Sequence, residues 1–314
     1  MRWVVIGSSG YIGSALCRYL VGAGDTVVSV SRRASAPTGC EHVQVQNFTV
    51  EAIANVFTRG DRVIYAAGLA SAGCCRRAPE LARWLNAELP SELLVKADAA
   101  GVDSFLYLSS VKARSAPSGV IAEEHAGSPA KDPYGASKWR AEALLLAQRV
   151  SCRLNIIRPA AVYGSLGARA STSREEGAAK SGRRAHKVVA WLKACGKWLP
   201  WVPATGYRTF VSLPDLVSAI SLVGQSDCRG EVFIVAEPGF YDAAALVRAA
   251  SGVNVRGSAL LLRMLLLPFR IIRRTGIGAR VLEIEKSELY SAGRLKARLK
   301  WQPENRYQNY LRGF

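Results

Sequence analysis

The 314-residue sequence predicts an α/β fold, a doubly wound parallel sheet with a smaller C-terminal lobe. Three observations predict it. Short apolar, β-branched runs alternate with helix-period stretches through the first 160 residues. A glycine-spaced turn follows the first of these runs directly. The chain is long enough for one large domain with a lobe, or for two domains, and 49% of it is hydrophobic, ample for a core.

Taken in order, strands are read at 2–6 (RWVVI), 26–30 (TVVSV), 42–46 (HVQVQ), 62–66 (RVIYA), 105–109 (FLYLS) and 153–157 (RLNII). Most are near-continuous apolar runs, as strands covered on both faces must be. Between them, YIGSALCRYLVGAG and YGASKWRAEALLLAQRV carry apolar residues at helical spacing. Pro90 interrupts the helical stretch from about 79 to 100. It has no N–H and its ring collides with the preceding turn, so a break or kink is expected near Glu88. Residues 165–187 are rich in small and charged residues without an apolar period and read as a long mobile loop. EVFIVA (231–236) reads as a further strand, and YDAAALVRAASG as a short helix capped by Asp242. The apolar segment 259–274 is broken by Arg263, Pro268 and Arg270 and is too short and too charged to span a bilayer. It is expected to pack within the second lobe or at a subunit contact; the alternative is a basic, apolar helix lying on a membrane surface.

The formal net charge is +18, unevenly placed: residues 1–150 carry 16 Lys and Arg against 13 Asp and Glu, and residues 151–314 carry 26 against 11. Such a surface attracts anions, among them nucleotide diphosphates, phospholipid head groups and nucleic acid, although most of these arginines read as a solvated basic face. The seven cysteines have no C-x-x-C spacing and, with three histidines, offer no metal-ligand cluster; they read as reduced, mostly buried thiols. MRWVVIGSSG runs into a strand and turn with no basic region followed by an apolar one, so no secretory leader and a cytoplasmic location are expected.

Gly7, Gly10 and Gly13 recur at three-residue intervals between the first strand and its helix. The first allows a tight turn, the second lets a pyrophosphate approach the backbone, and the third lets helix and strand pack closely. The start of the helix, with Ser9, Tyr11 and Ile12 in the same turn, then presents free N–H groups and a positive dipole end. Placed in a βαβ unit, it reads as the dinucleotide-binding turn of a Rossmann fold, the alternative being a turn with a structural role alone. After the second strand, where NAD sites carry a carboxylate for the ribose 2′-hydroxyl, the chain has Ser31, Arg32 and Arg33. A guanidinium binds a 2′-phosphate bidentately, so NADP(H) is favoured and NAD(H) stays open.

Tyr134 and Lys138 stand at i and i+4 on one helix. A phenol titrates near 10, and a neighbouring ammonium that also reaches the nicotinamide ribose stabilises its anion. Ser109 and Ser110 end the fifth strand at the carboxyl edge of the sheet, where Ser110 can bond the substrate oxygen that Tyr134 protonates or deprotonates.

These segments, with VIYAAG, IIRPAAVYG, YRTFVSLPDLVSAI and RLKARLKWQPE, resemble the extended short-chain dehydrogenase/reductases, within them the nucleotide-sugar epimerase/dehydratase family. The resemblance covers nearly the whole chain. It implies Tyr134, Lys138 and Ser110 as the catalytic triad. It implies a cofactor lined by Ala66, Ala67, Gly68, Asn86, Leu108, Lys138, Pro159 and Val162, and a nucleotide-diphosphate sugar held by Ser110, Lys112, Tyr134 and Arg208. A dinucleotide-binding domain at 1–164, its core continuing in part through 205–236, and a mainly substrate-binding lobe at 165–314 follow from it, as does a homodimer. Neither nucleic acid nor metal is expected. Val111 and Lys112 replace the Asp-Glu pair of the dehydratases, so a 4,6-dehydratase is not expected, and Ala160 and Ala161 stand where many epimerases carry Asn near the diphosphate. The subgroup most similar serves bacterial surface-polysaccharide sugars, implying an NADP(H)-dependent 4-keto reductase of a UDP-sugar. The alternatives are a UDP-N-acetylhexosamine 4-epimerase with retained NAD, a reductase of steroid-like or flavonoid-like ketones, and a non-catalytic NADP(H) sensor or membrane-surface protein.

Overall fold

A computed structural model describes residues 1–115, 119–123, 125, 127–166, 187, 189–271, 278 and 281–313. Apart from its ends, the loop expected at 165–187 lies outside the described residues, as do positions 272–274 of the apolar segment. The strands that matter for the site are β1 (Arg2–Ile6), β2 (Thr26–Ser31), β3 (Glu41–Gln44), β4 (Arg62–Tyr65), β5 (Ser104–Leu108), β6 (Arg153–Pro159), β7 (Trp201–Pro203), β8 (Arg208–Ser212), β9 (Glu231–Val235) and β10 (Arg256–Ser258). The principal helices are α1 (Tyr11–Gly22), α2 (Leu89–Ala99), α3 (Pro133–Leu146), α4 (Leu213–Gln225), α5 (Ala243–Ser251) and α6 (Ala259–Ile271).

Seven strands form one parallel sheet in the order β9-β6-β5-β4-β1-β2-β3. The side chains alternate between two cores. Trp3, Val5, Ile64 and Leu106 face α1 and α4 through Leu16, Leu20, Val217 and Ile220. Val4, Ile6, Val63, Phe105 and Tyr107 face α2 and α3 through Leu93, Leu94, Ala141 and Leu145. Each large aliphatic chain so covered contributes about 1.5–3 kcal/mol, which is why the strands had to be apolar on both faces. The third strand is the edge, and it occupies 41–44 rather than 42–46.

The chain runs outward from β1 to β3, then returns to β4 on the other side of β1. Ligands of such sheets bind where the order reverses, at the carboxyl ends of the strands. The turn after β1 and the loop after β4 meet there: a Cβ on Gly7 would lie 2.6 Å from the Ala67 nitrogen.

The break expected near Glu88 takes the form of a π-helical turn over Trp84–Glu88, with Pro90 opening α2. Pro90 has no N–H to offer the carbonyls of Leu85 and Asn86. Two phenols take those positions: Tyr65 donates to Leu85 O at 2.7 Å and Tyr107 to Asn86 O at 2.5 Å.

A second, smaller core gathers from residues around 189–202, 244–255 and 307–311. It holds Val189, Leu192, Val202, Val247, Val255 and Leu311, and β7 pairs with β10 in parallel. Asp242 caps α5, accepting from Ala245 N at 2.7 Å. All seven cysteines are free thiols; three are buried and Cys40, Cys74, Cys195 and Cys228 only half-buried, because they lie at helix and loop edges rather than inside either core.

Candidate active site

Asp132 caps α3 by accepting from the N–H groups of Tyr134 and Gly135, both at 3.1 Å. This places Tyr134 in the first turn, beside the end of β5. A glycine is required next, since a Cβ at Gly135 would lie 2.2 Å from the Lys112 carbonyl. The helix can therefore press onto the turn that carries Ser110. The Ser110 hydroxyl lies beside the Tyr134 hydroxyl and favours its anion. It also accepts from Lys112 N at 3.2 Å. Burial raises the Tyr134 phenol above its ordinary value, and the neighbouring Ser110 hydroxyl pulls it part of the way back.

Ser109 and Ser110 have separate tasks. Ser109 donates to Glu142 at 2.5 Å. Glu142 is also paired with Arg158, both about 4% exposed, through Nε at 2.8 Å and a second, shorter bond. This buried pair locks α3 onto β5 and β6. Such a pair is worth little relative to apolar packing, but loss of one partner strands a charge.

Lys138 is buried, one turn beyond Tyr134. Its ammonium donates to Leu108 O at 2.7 Å and to the Tyr107 hydroxyl at 3.0 Å, and stands 4.5 Å from the centre of the Tyr107 ring. Burial pushes it down to about 7; the Glu142 carboxylate, one turn further on, and Cys75 draw it upward. Tyr107 passes the connection on to Asn86 O, so ammonium, phenol and π-turn carbonyl form one chain.

The glycine turn fits a dinucleotide pyrophosphate. Gly7 is left-handed at φ 88°. A Cβ on Gly13 would lie 2.3 Å from Gly7 O, so helix and turn approach to backbone contact. Gly10 caps α1 without a side chain, and no acidic residue stands in the first turn, which leaves the N–H groups around Tyr11 and Ile12 and the positive end of the helix for an anion. The buried Ser8 hydroxyl in the same turn has no hydrogen-bond partner among the described residues. Ser9 is half-buried at its rim. The Tyr11 hydroxyl itself is engaged, donating to Gly164 O at 2.5 Å.

Arg32 and Arg33 project into solvent at the end of β2, Arg32 with its guanidinium 5.9 Å from the Phe48 ring. Ser31 is buried and accepts from Arg33 N at 3.2 Å, shaping the turn. Ala66, Ala67 and Gly68 follow β4, facing the glycine turn. Pro159 ends β6, with Val162 half-buried beyond it.

Three expected contacts look different in the structure. The Asn86 side chain does not face the crevice: it is fully buried, accepting from Leu69 N at 2.8 Å and donating to Leu69 O at 3.1 Å and Ser137 at 2.8 Å. It supports the loop behind Gly68, because the π-turn rotates it inward. Arg208 gives its fork to the carbonyls of Tyr207 at 3.1 Å, Glu283 at 3.0 Å and, closer still, Lys286. It pins residues 283–288 to β8, and a diphosphate has to take those donors over. The Lys112 side chain is exposed while its carbonyl packs on Gly135. Tyr107, Glu142 and Arg158 went unnoticed in the sequence; a polar or charged residue inside each apolar strand or helix face was the available signal.

The sequence profile of the NAD dependent epimerase/dehydratase family matches residues 3–236, three-quarters of the chain, which includes the seven-stranded sheet, the glycine turn, Ser110, Tyr134 and Lys138. The chain belongs to that family. The fold of the family is widely shared. UDP-glucose 4-epimerase from Thermotoga maritima, solved with UDP-glucose, is 20% identical at a TM-score of 0.70, covering 99% of this chain and 96% of its own. The Thermus thermophilus UDP-glucose 4-epimerase, solved with NAD, is 22% identical at 0.67, covering 99% and 97%. RMD from Pseudomonas aeruginosa, complexed with NADPH, is 20% identical at 0.64, covering 99% and 96%. No curated protein sequence matches the chain. Within the family, this member has a complete serine, tyrosine and lysine set at the end of β5 and the start of α3.

Proposed function

We propose that the protein is an NADP(H)-dependent oxidoreductase of a nucleotide-linked sugar, a 4-keto reductase of a UDP-sugar in surface-polysaccharide biosynthesis. The observation that carries this reading is the placement of Tyr134 beside Ser110 and one helical turn from the buried Lys138, on the sheet edge that also bears the glycine turn. When bound, the nicotinamide supplies the hydride for the carbonyl carbon. Tyr134 gives its proton to the carbonyl oxygen, and Ser110 donates a hydrogen bond to that oxygen as charge develops on it. Lys138 holds the nicotinamide ribose and, when protonated, stabilises the phenolate that remains. A phenol raised by burial keeps its proton at neutral pH, which suits a donor in reduction better than a base in oxidation.

Arg32 and Arg33 favour NADPH over NADH, since they are exposed, with no carboxylate beside them in SVSRRAS. Replacing both by Ser is expected to weaken NADPH binding about 10–100-fold, with NADH binding little changed. Equal losses for the two cofactors in fluorescence titrations count against a 2′-phosphate site.

The neighbours that are UDP-glucose 4-epimerases favour a second reading. One experiment separates the two. Protein purified without added nucleotide is tested for bound nicotinamide and for interconversion of UDP-GlcNAc and UDP-GalNAc, then for stoichiometric NADPH consumption with UDP-linked 4-keto sugars. Retained NAD with cofactor-free interconversion makes it an epimerase; NADPH consumption makes it a reductase.

A further inference from the structure

The helix α6 is turned the wrong way for a helix that merely completes a core. Among its described residues 259–270, only Leu262 and Leu266 are buried, an i, i+4 pair that touches the lobe. Leu260, Met264, Leu265 and Leu267 are 53–68% exposed, and Leu261 is exposed beside them. Soluble proteins rarely leave so much aliphatic surface together.

Aromatic surface adjoins it. Ser258, the last residue of β10, caps α6 by accepting from Leu261 N at 3.3 Å. Its partner strand β7 packs against α6 and begins with Trp201, which is paired in register with Arg256. Trp201 is exposed, as are Leu199 and Trp198 just before it. Trp198 and Trp191 lie seven residues apart on the helix through 189–198, on the side opposite the buried Val189 and Leu192.

Charge decides the occupant. Residues 187–206 and 252–269 hold five cations, Lys187, Lys193, Lys197, Arg256 and Arg263, and no Asp or Glu, while Arg270 near the end of α6 is paired with Glu285 at 2.6 Å. All five are exposed. Lys197 lies 5.7 Å from the Trp198 ring and Arg256 5.9 Å from that of Trp201, so cations and indoles share one surface. A second copy docked symmetrically would bring the same patch against itself, cation to cation, with no acid from either segment to pair them. An anionic bilayer satisfies both features: acyl chains take the leucines, the indoles sit at head-group level, and phosphates meet the lysines and arginines. Among the described residues no helix is long and apolar enough to cross a membrane, so α6 lies in the interface plane.

We infer that the face built from α6, Trp191, Trp198 and Trp201 is a docking surface for anionic phospholipid bilayers. The test uses the full chain and sedimentation with vesicles of phosphatidylcholine alone or mixed with phosphatidylglycerol. The protein is expected to sediment with the mixed vesicles, to release at high salt, and to shift its tryptophan emission to the blue. Leu260→Glu, Met264→Glu and Leu265→Glu together are expected to lower partitioning by more than about tenfold. All three positions are exposed, so the circular dichroism spectrum and NADPH titration stay as in the parent. Three results overturn the assignment: no partitioning into the mixed vesicles, partitioning that the triple variant retains, or a dimer in solution that the triple variant dissolves. Retention by polyglutamate without vesicle binding assigns the face to an acidic protein and overturns it equally.

Discussion

Tyr134→Phe is expected to lower turnover about 10²–10⁴-fold while leaving NADPH affinity within a small factor of the parent. The phenol is held in the first turn of α3 by the Asp132 cap, beside Ser110. Phenylalanine keeps the half-buried ring and removes only the proton that the substrate oxygen needs. The loss therefore falls on the chemical step. Single-turnover NADPH oxidation with a UDP-linked 4-keto sugar measures that step, and fluorescence titration measures the cofactor separately. Parent-like turnover in the variant removes Tyr134 as proton donor. Loss of NADPH binding instead would mean that the ring holds the cofactor.

Lys138→Met is expected to abolish activity and yet to stabilise the fold at and below neutral pH. Lys138 is only 6% exposed, and burial holds its ammonium at about 7, well under the ordinary 10.5. A shift of that size corresponds to about 5 kcal/mol of burial cost, and loss of the bonds to Leu108 O and Tyr107 returns about half of it. A net gain of about 2 kcal/mol remains. The folded value lies below the unfolded one, so between the two the unfolded chain binds more protons and the stability of the parent rises with pH. The advantage of methionine is thus full below about pH 7 and fades towards pH 10.5. Denaturant unfolding of both proteins near pH 6 and again near pH 9.5 reads this directly. A methionine variant that is less stable at the acid end, or a difference that ignores pH, shows that the ammonium carries no such cost.

The sheet was legible in the sequence because its strands are covered on both faces and so announce themselves as short apolar runs. The turn at Gly7, Gly10 and Gly13 was legible because only glycine tolerates backbone contact at 2.3 Å. Tyr134 and Lys138 are one helical turn apart, a local relation that spacing alone expresses. What the sequence did not disclose depends on register between distant segments. Glu142 meets Arg158 only once α3 has settled on β5 and β6, and that contact is what distinguishes Ser109 from Ser110. Asn86 sits in a stretch with ordinary helical composition, where nothing local marks which way a widened turn rotates it. Arg208 was read from its neighbours in the chain, whereas its carbonyl partners at 283 and 286 arrive from nearly eighty residues away.

The missing amide hydrogen of Pro90 reaches further than the bend it causes. It leaves an acceptor vacant for Tyr107, and Tyr107 in turn shares the ammonium of Lys138. Proton affinity at the heart of the crevice is thereby wired, through two hydrogen bonds, to an imino acid in the neighbouring helix, and a change there would retune the chemistry without touching any atom that meets a ligand.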